Sequence, residues 1–240
     1  MQTYKTTLTN KTSFEGDVDL FHFVLDPPQQ LLFIPGQYII LTIPQSPSPV
    51  KRLYSIASSP SQPSSFELLI KRVPGGIASN YIGNLAVGDK LEVLGPAGLF
   101  SLKNTPHNKV FLTTGTGIAP IRSFILSNPS HTQHYYLFWG MPSFRELYLL
   151  DELRGMAQKD PFLHVSICLS REQSLDSIPI ELRPLFSLGH IDNVVSRLIS
   201  SQPQNSLEYY ICGRREVVES TRDYLYNQNI DRSLVHFERY

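Results

Sequence analysis

The chain changes its pattern once, at Asn104-Thr105-Pro106, and that change limits the folds open to it. Before it, short alternating or β-branched runs recur at Gln2–Thr9, Val18–Val24, Gln37–Ile43, Leu53–Ala57, Phe66–Arg72 and Lys90–Leu94. Ten of the 18 prolines lie in this half, clustered with Gly, Ser and Asp between the runs. Such a pattern suits a small antiparallel barrel or sandwich, with one short helix at Ile77–Asn84 after Gly75-Gly76. After Pro106, unbroken apolar runs appear at Val110–Thr113, Tyr135–Trp139, His164–Leu169, Tyr209–Ile211 and Leu234–Phe237. They alternate with helix-like stretches at Ile118–Leu126, Phe144–Ala157, Val194–Ile199 and Glu216–Tyr226. Strands apolar on both faces must be covered on both, so this half predicts a doubly wound parallel sheet. The expected organisation is a β domain over 1–105 followed by an α/β domain over 106–240.

Charge narrows the function classes. The chain carries 21 basic and 21 acidic side chains. Of these, 8 and 7 precede Pro106, leaving 13 and 14 after it. Neither half has the basic excess that releases counterions from nucleic acid, so no nucleic-acid partner is expected. No apolar run approaches the roughly 20 residues of a transmembrane helix, and the first ten residues do not resemble a signal peptide. A cytoplasmic protein without a transmembrane segment is expected. Cys168 and Cys212 are the only cysteines, too few for a disulfide framework or a four-thiolate cluster, and no metal site is expected.

The clearest local signal is Lys109-Val-Phe-Leu-Thr-Thr-Gly115-Thr-Gly117-Ile-Ala-Pro120. An apolar strand runs into a glycine turn and directly into a helix. Glycines let the backbone approach a pyrophosphate, and the helix start offers N–H groups and partial positive charge. The dinucleotide fingerprint wants a third glycine where this chain has Pro120, so an ordinary strand-to-helix turn stays open on this motif alone. Ligands are expected at the carboxyl ends of the strands, where Gly115, Trp139-Gly140, Ser170-Arg171 and Cys212-Gly213 all fall.

The β half offers two basic dipeptides, Lys51-Arg52 and Lys71-Arg72. In Arg52-Leu53-Tyr54-Ser55, the strand period puts Arg52 and Tyr54 on one face and Leu53 and Ser55 on the other. A guanidinium pairs with phosphate, a Tyr stacks on an aromatic ring, and a Ser hydroxyl bonds a ring edge. After Lys71-Arg72, Gly75-Gly76-Ile77-Ala78-Ser79 joins free backbone N–H groups to a hydroxyl. Taken alone, each dipeptide reads first as a solvated basic turn.

Taken in order, these segments resemble the ferredoxin–NADP⁺ reductase superfamily of flavoproteins over nearly the whole chain. The marks are Pro35-Gly36-Gln37-Tyr38, Arg52–Ser55, Gly75–Ser79, Gly95-Pro96-Ala97-Gly98-Leu99-Phe100, Gly115–Pro120, Tyr209–Gly213 and Phe237-Glu238-Arg239-Tyr240. The resemblance implies an N-terminal Greek-key barrel for FAD and a C-terminal NAD(P)H domain, with hydride passing between the two rings. It implies that Arg52 binds the flavin pyrophosphate, Tyr54 stacks on the flavin and Ser55 bonds near its reactive nitrogen. Leu53, Ile70 and Lys71 would complete that site, and Gly76, Ile77, Ala78 and Ser79 would form a second phosphate cradle. Gly115, Thr116, Gly117 and Gly213 would hold the nicotinamide nucleotide, with Cys212 and Glu238 beside its reacting ring. Tyr240 would cover the flavin and yield to nicotinamide. Ser55, Cys212, Glu238 and Tyr240 thus form the expected catalytic set.

The resemblance also bears on specificity. Ser170-Arg171 matches the pair that takes an adenosine 2′-phosphate, which favours NADPH over NADH; the Lys-x-Tyr that follows it in plant-type reductases is absent. The expected acceptor is a separate ferredoxin- or flavodoxin-type carrier, since so few cysteines and so short a chain leave no place for an attached iron–sulfur domain. A flavin- or quinone-type small acceptor, or an electron-transfer or sensor module with little turnover, is the alternative. A neutral chain gives no basic surface to steer an acidic carrier.

Overall fold

A computed structural model describes every residue except 45–46, 128–132 and 204. The chain divides into two compact units, one of Met1–Leu102 with Ala119–Asn128, the other of Lys103–Ile118 with Pro129–Tyr240.

The first unit is a curled antiparallel sheet. Its strands are β1 (Gln2–Phe14), β2 (Val18–Leu25), β3 (Tyr38–Ile43), β4 (Val50–Ser55), β5 (Ser65–Lys71) and β6 (Lys90–Ala97), ordered β4-β3-β6-β1-β2-β5. A seven-residue helix, α1 (Ile77–Gly83), links β5 to β6. Bulges between Leu8 and Asn10 and between Tyr38 and Ile40 shift the register, which bends the strands. The two edge strands then meet: Ile56 bridges Leu68, and the Ala57 N–H donates to the Glu67 carbonyl. That meeting ends β4 at Ser55, so the strand sits at 50–55 rather than the expected 53–57. Alternation fills the interior. Phe21 and Phe23 are fully buried, with Phe23 stacked on Phe66 at 5.4 Å, and Leu8, Ile39, Leu41 and Ile82 join the same cluster. Each such side chain contributes about 1.5–3 kcal/mol by leaving water.

The second unit is a parallel sheet. Its strands are β7 (Asn108–Thr114), β8 (Tyr135–Met141), β9 (Leu163–Leu169), β10 (Phe186–Leu188), β11 (Leu207–Gly213) and β12 (Val235–Arg239), ordered β10-β9-β8-β7-β11-β12. Its helices are α3 (Leu150–Lys159), α4 (Ile191–Ser201) and α5 (Arg215–Asn227); α2 (Ile118–Ser127) follows β7 in the chain but from Ala119 onward belongs to the first unit. The three-residue strand β10 has too little pattern to be read from sequence. The helix expected over 144–157 is interrupted. A single turn at Phe144–Glu146 is followed by Leu149 at φ 58°, and α3 begins only at Leu150. The break lets Tyr148 leave the helical path and bury its ring edge-on against Trp139 at 4.9 Å.

The chain runs outward from β7 through β8 and β9 to β10, then returns to β11 on the other side of β7. The carboxyl ends of β7 and β11 therefore flank the point where strand order reverses, where open α/β sheets leave a crevice for ligands. At the opposite end, Lys109 and Glu208 form a buried ion pair at 2.5 Å, with Thr105 and His236 also bonded to the carboxylate. Within the first unit, side chains of α2 bond to the chain around Ala57. Arg122 donates to the Ala57 carbonyl at 2.8 Å and pairs with Glu67 at 2.7 Å, and the Ser123 hydroxyl donates to the Ser58 carbonyl.

Candidate functional site

The switch point of the parallel sheet is built around glycine. Gly115 ends β7 in the left-handed region at φ +51°, and nothing lies within 4 Å of where a Cβ would stand. At Gly117 the reason is different: a Cβ there would meet the Cys212 carbonyl oxygen at 2.4 Å and the Thr113 hydroxyl at 2.7 Å. The turn thus lies directly on the end of β11. Trp139, fully buried on β8, donates its indole N–H to the Gly115 carbonyl at 3.0 Å.

Cys212, Glu238 and Tyr240 converge here. Cys212 is the register partner of Thr113 on β7 and of Glu238 on β12. Burial, reinforced by the Glu238 carboxylate, holds its thiol well above the ordinary range, so it is a neutral group. Tyr240 donates its backbone N–H to the Gly213 carbonyl at 3.3 Å. Its hydroxyl lies 3.3 Å from the Thr116 hydroxyl and 3.4 Å from the Thr114 carbonyl oxygen. Four expected residues from three separate segments, Gly117, Cys212, Glu238 and Tyr240, therefore meet at one strand-end site.

The adenosine-side candidates sit at the end of β9. Ser170 and Arg171 donate their backbone N–H groups to the Met141 and Pro142 carbonyls at 3.0 and 2.9 Å, which fixes the backbone and leaves the Arg171 side chain exposed. The Glu172 carboxylate accepts from the Phe144 N–H at 3.2 Å, closing the turn that carries Arg145. The sequence places Trp139 at a strand end, but neither its bond to the turn nor the contact of Glu172 is visible there. A buried indole bonded to a glycine turn needs the β8–β7 register before it can be seen.

In the first unit the candidates divide. Cross-strand partners share a face, and Arg52 and Tyr54 pair with the buried Leu41 and Ile39, while Leu53 and Ser55 pair with Ile40 and Tyr38 on the other. Tyr54 is half-buried against the core, and burial raises its hydroxyl pKa, partly offset by the Arg52 charge. The Arg52 guanidinium is exposed and donates to the Lys51 carbonyl; Leu53 is exposed as well. Gly75 stands at φ +72° with nothing within 4 Å of a would-be Cβ. Gly76 is close-packed, its would-be Cβ only 2.6 Å from the Ser79 hydroxyl oxygen.

Other expected flavin residues are engaged in structure. The Ser79 hydroxyl accepts from the Val73 N–H at 3.1 Å and is 3.4 Å from the Gly76 carbonyl oxygen, so it braces the turn. Ile70 and Ala78 are buried in the core, whereas Lys71 is half-buried and Ile77 exposed. Arg72 pairs with the buried Asp19 at 2.9 Å and donates to the Gly83 carbonyl, so it belongs to the scaffold.

A curled antiparallel sheet with an open glycine loop, and a parallel sheet with a glycine turn at its switch point, define an oxidoreductase with one unit for each of two nucleotide cofactors. The family descriptions agree: residues 5–102 match "Oxidoreductase FAD-binding domain" and residues 111–223 match "Oxidoreductase NAD-binding domain". Ferredoxin–NADP reductase B of Sorangium cellulosum is 30% identical over 213 residues, covering 87% of this chain and 86% of that protein. The glycine betaine monooxygenase reductase subunit of Pseudomonas aeruginosa is 48% identical over 109 residues, 45% of this chain and 30% of that subunit. A ferredoxin NADP⁺ reductase from Neisseria gonorrhoeae with bound FAD and NADP has the same fold, with a TM-score of 0.81, 18% identity, and coverage of 100% of this chain and 99% of that one. The chain belongs to the ferredoxin–NADP⁺ reductase-like superfamily of FAD-dependent NAD(P)H oxidoreductases. No helix among the described residues is long and apolar enough to cross a membrane, and no His, Cys, Asp and Glu among them group into a metal site.

Proposed function

We propose that this chain takes hydride from NADPH onto FAD and passes the electrons to a separate carrier protein of ferredoxin or flavodoxin type. The observation that carries the reading is the convergence of Gly117, Cys212, Glu238 and Tyr240 at the sheet's switch point. The residues present fit both cofactors. Gly115 and Gly75 have the positive φ and the open space that a phosphate approaching the backbone requires.

When bound, FAD and the nicotinamide dinucleotide supply the hydride chemistry. The chain's residues bind and orient. Arg52 offers a guanidinium to a diphosphate, Tyr54 a half-buried ring for stacking, and Ser55 a hydroxyl for a ring edge. Gly115, Thr116 and Gly117 offer backbone N–H groups and a hydroxyl to the second nucleotide. Cys212 supplies a neutral, polarisable surface beside the Glu238 carboxylate, and Tyr240 guards the turn by its bond to Thr116. Ser170 and the exposed Arg171 support the NADPH preference, because a guanidinium pairs with a 2′-phosphate. The glycine betaine monooxygenase reductase subunit and the Sorangium ferredoxin–NADP reductase support a separate acceptor. Cytoplasmic electron transfer fits the same reading.

The test is anaerobic stopped-flow reduction of the flavin-loaded protein by NADPH and by NADH, then reoxidation by a panel of carriers, free flavin and quinone. Rapid bleaching by NADPH and fast reoxidation by a ferredoxin or flavodoxin are expected. A yellow protein inert to both nicotinamides would instead mark a binding module, and reoxidation only by quinone or free flavin would move the acceptor to small molecules.

A further inference from the structure

We infer that Trp139 is the positioning residue of the dinucleotide turn: its indole N–H holds the Gly115–Thr116 peptide in the orientation that presents the Thr116 N–H to the bound nucleotide. The inference rests on the proposed use of this turn for a nicotinamide dinucleotide.

The geometry begins with a planar peptide. In a trans peptide the C=O of one residue and the N–H of the next point in opposite directions. The Gly115 carbonyl accepts from the Trp139 indole at 3.0 Å and from the Ile118 N–H at the start of α2, so it points inward. The Thr116 N–H of the same peptide therefore points away from that interior. Gly115 also leaves nothing within 4 Å at its would-be Cβ position, so the turn has an open side.

A left-handed glycine is the least constrained backbone in the chain's repertoire, and a peptide flip at such a position meets little steric resistance. Something must select one orientation. Trp139 is suited to it because the indole cannot move. It is fully buried, it meets Tyr148 edge-on at 4.9 Å, and its backbone is paired with Thr113 on β7 and Ile167 on β9. An indole has one donor and no acceptor, so its only hydrogen bond fixes a carbonyl and nothing else. The interruption of the helix at Leu149 acquires a purpose here, since it is what places Tyr148 against the indole.

The test compares the flavin-loaded protein with Trp139→Phe, which removes the donor and keeps an aromatic ring. Binding of oxidised NADP⁺ is measured by titration calorimetry, which needs no turnover. The variant is expected to bind about fivefold to tenfold more weakly, as loss of one hydrogen bond predicts. Flavin occupancy and the flavin spectrum should be unchanged. In single-turnover reduction the half-saturating NADPH concentration should rise by the same factor, while the rate at saturation stays within about twofold. If Trp139→Phe is too unstable to purify, replacement by benzothienylalanine, an isostere with sulfur in place of the N–H, keeps the shape and removes the donor. Unchanged binding in the folded variant would overturn the role of Trp139 alone. Failure of the unsubstituted protein to bind either NADP⁺ or NAD⁺ would overturn the dinucleotide reading of the turn, and this inference with it.

Discussion

Cys212 and Glu238 are register partners on the parallel strands β11 and β12, and the carboxylate helps hold the neighbouring thiol in its neutral form. Cys168 is equally buried, with its thiol pushed up to about 12 by burial. Neither cysteine should therefore exchange with an aromatic disulfide at pH 8. A thiol assay on the native protein should read close to zero, and both thiols should appear once it is unfolded. Fast release by one thiol in the native state would mean that one of the two cysteines is open and at least partly ionised.

The two glycines of the turn predict different outcomes for the same substitution. Gly117→Ala drives a methyl group against the Cys212 carbonyl oxygen at 2.4 Å, which is backbone and cannot swing aside. It should cost about 1–3 kcal/mol of stability and abolish measurable NADP⁺ binding. Gly115→Ala meets no neighbour and bears only the left-handed strain, about 1–2 kcal/mol. Thermal unfolding separates the pair, with Gly117→Ala the less stable of the two, and equal losses of stability would contradict the packing difference.

The sequence showed the site in pieces. Alternation revealed the strands of the first sheet and unbroken apolar runs those of the second, because burial on one face or on two leaves a pattern that needs no partner to be seen. That pattern could not reveal β10, three residues long, nor the break at Leu149, because a buried Tyr148 fits a helix face as readily as the Trp139 contact it makes. The glycine turn at Gly115 and Gly117 was legible, since strand, turn and helix are contiguous there. A basic residue and a hydroxyl beside glycines, as at Arg72 and Ser79, carry one sequence signature whatever protein groups they also engage. Only the fold shows that Arg72 pairs with Asp19 and that Ser79 braces Val73.

Arg122 is a buried cation on α2, paired with Glu67 and bonded to the Ala57 carbonyl. Arg122→Met removes the charge but keeps much of the stem, leaving Glu67 without its partner. Glu67 retains some contact with water, so the loss should fall at the low end for a broken buried pair, about 3 kcal/mol. Urea unfolding of the flavin-loaded variant measures it, and a change below about 0.5 kcal/mol would show that water replaces the pair at little cost.

The Lys109–Glu208 pair predicts an acid limb of stability. Burial alone would raise the Glu208 carboxyl, but hydrogen bonds from Lys109, Thr105 and His236, with the Lys109 charge, outweigh it and hold it at about 2 against an ordinary 4.5. A depressed folded pKa contributes stability that is present above the unfolded value and lost as pH falls through the folded one. The loss should therefore develop between pH 4.5 and about 2. Glu208→Gln should remove this limb and, because Lys109 is left buried without a carboxylate, lower stability at pH 7 by about 3–5 kcal/mol. A variant with the same acid limb as the unsubstituted protein would place the titrating group elsewhere.

Arg171 and Glu172 stand side by side at the end of β9 with opposite implications for the nicotinamide cofactor. A guanidinium at this place favours a 2′-phosphate, whereas a carboxylate favours the bare ribose hydroxyls. The structure separates them: Glu172 accepts from the Phe144 N–H, while the Arg171 side chain is exposed beyond a backbone pinned to Pro142. Arg171→Ala should therefore raise the KM for NADPH by about tenfold or more, as expected for loss of hydrogen bonds to a charged group, and leave the KM for NADH nearly unchanged. The rate at saturation should not change for either nucleotide, because the contact lies on the adenosine side and is the same before and during hydride transfer. Glu172→Gln keeps an oxygen for the Phe144 N–H and should leave the preference as it was. Equal effects of Arg171→Ala on both nucleotides would show that the guanidinium does not read the 2′-phosphate, and the preference for NADPH would fall with it.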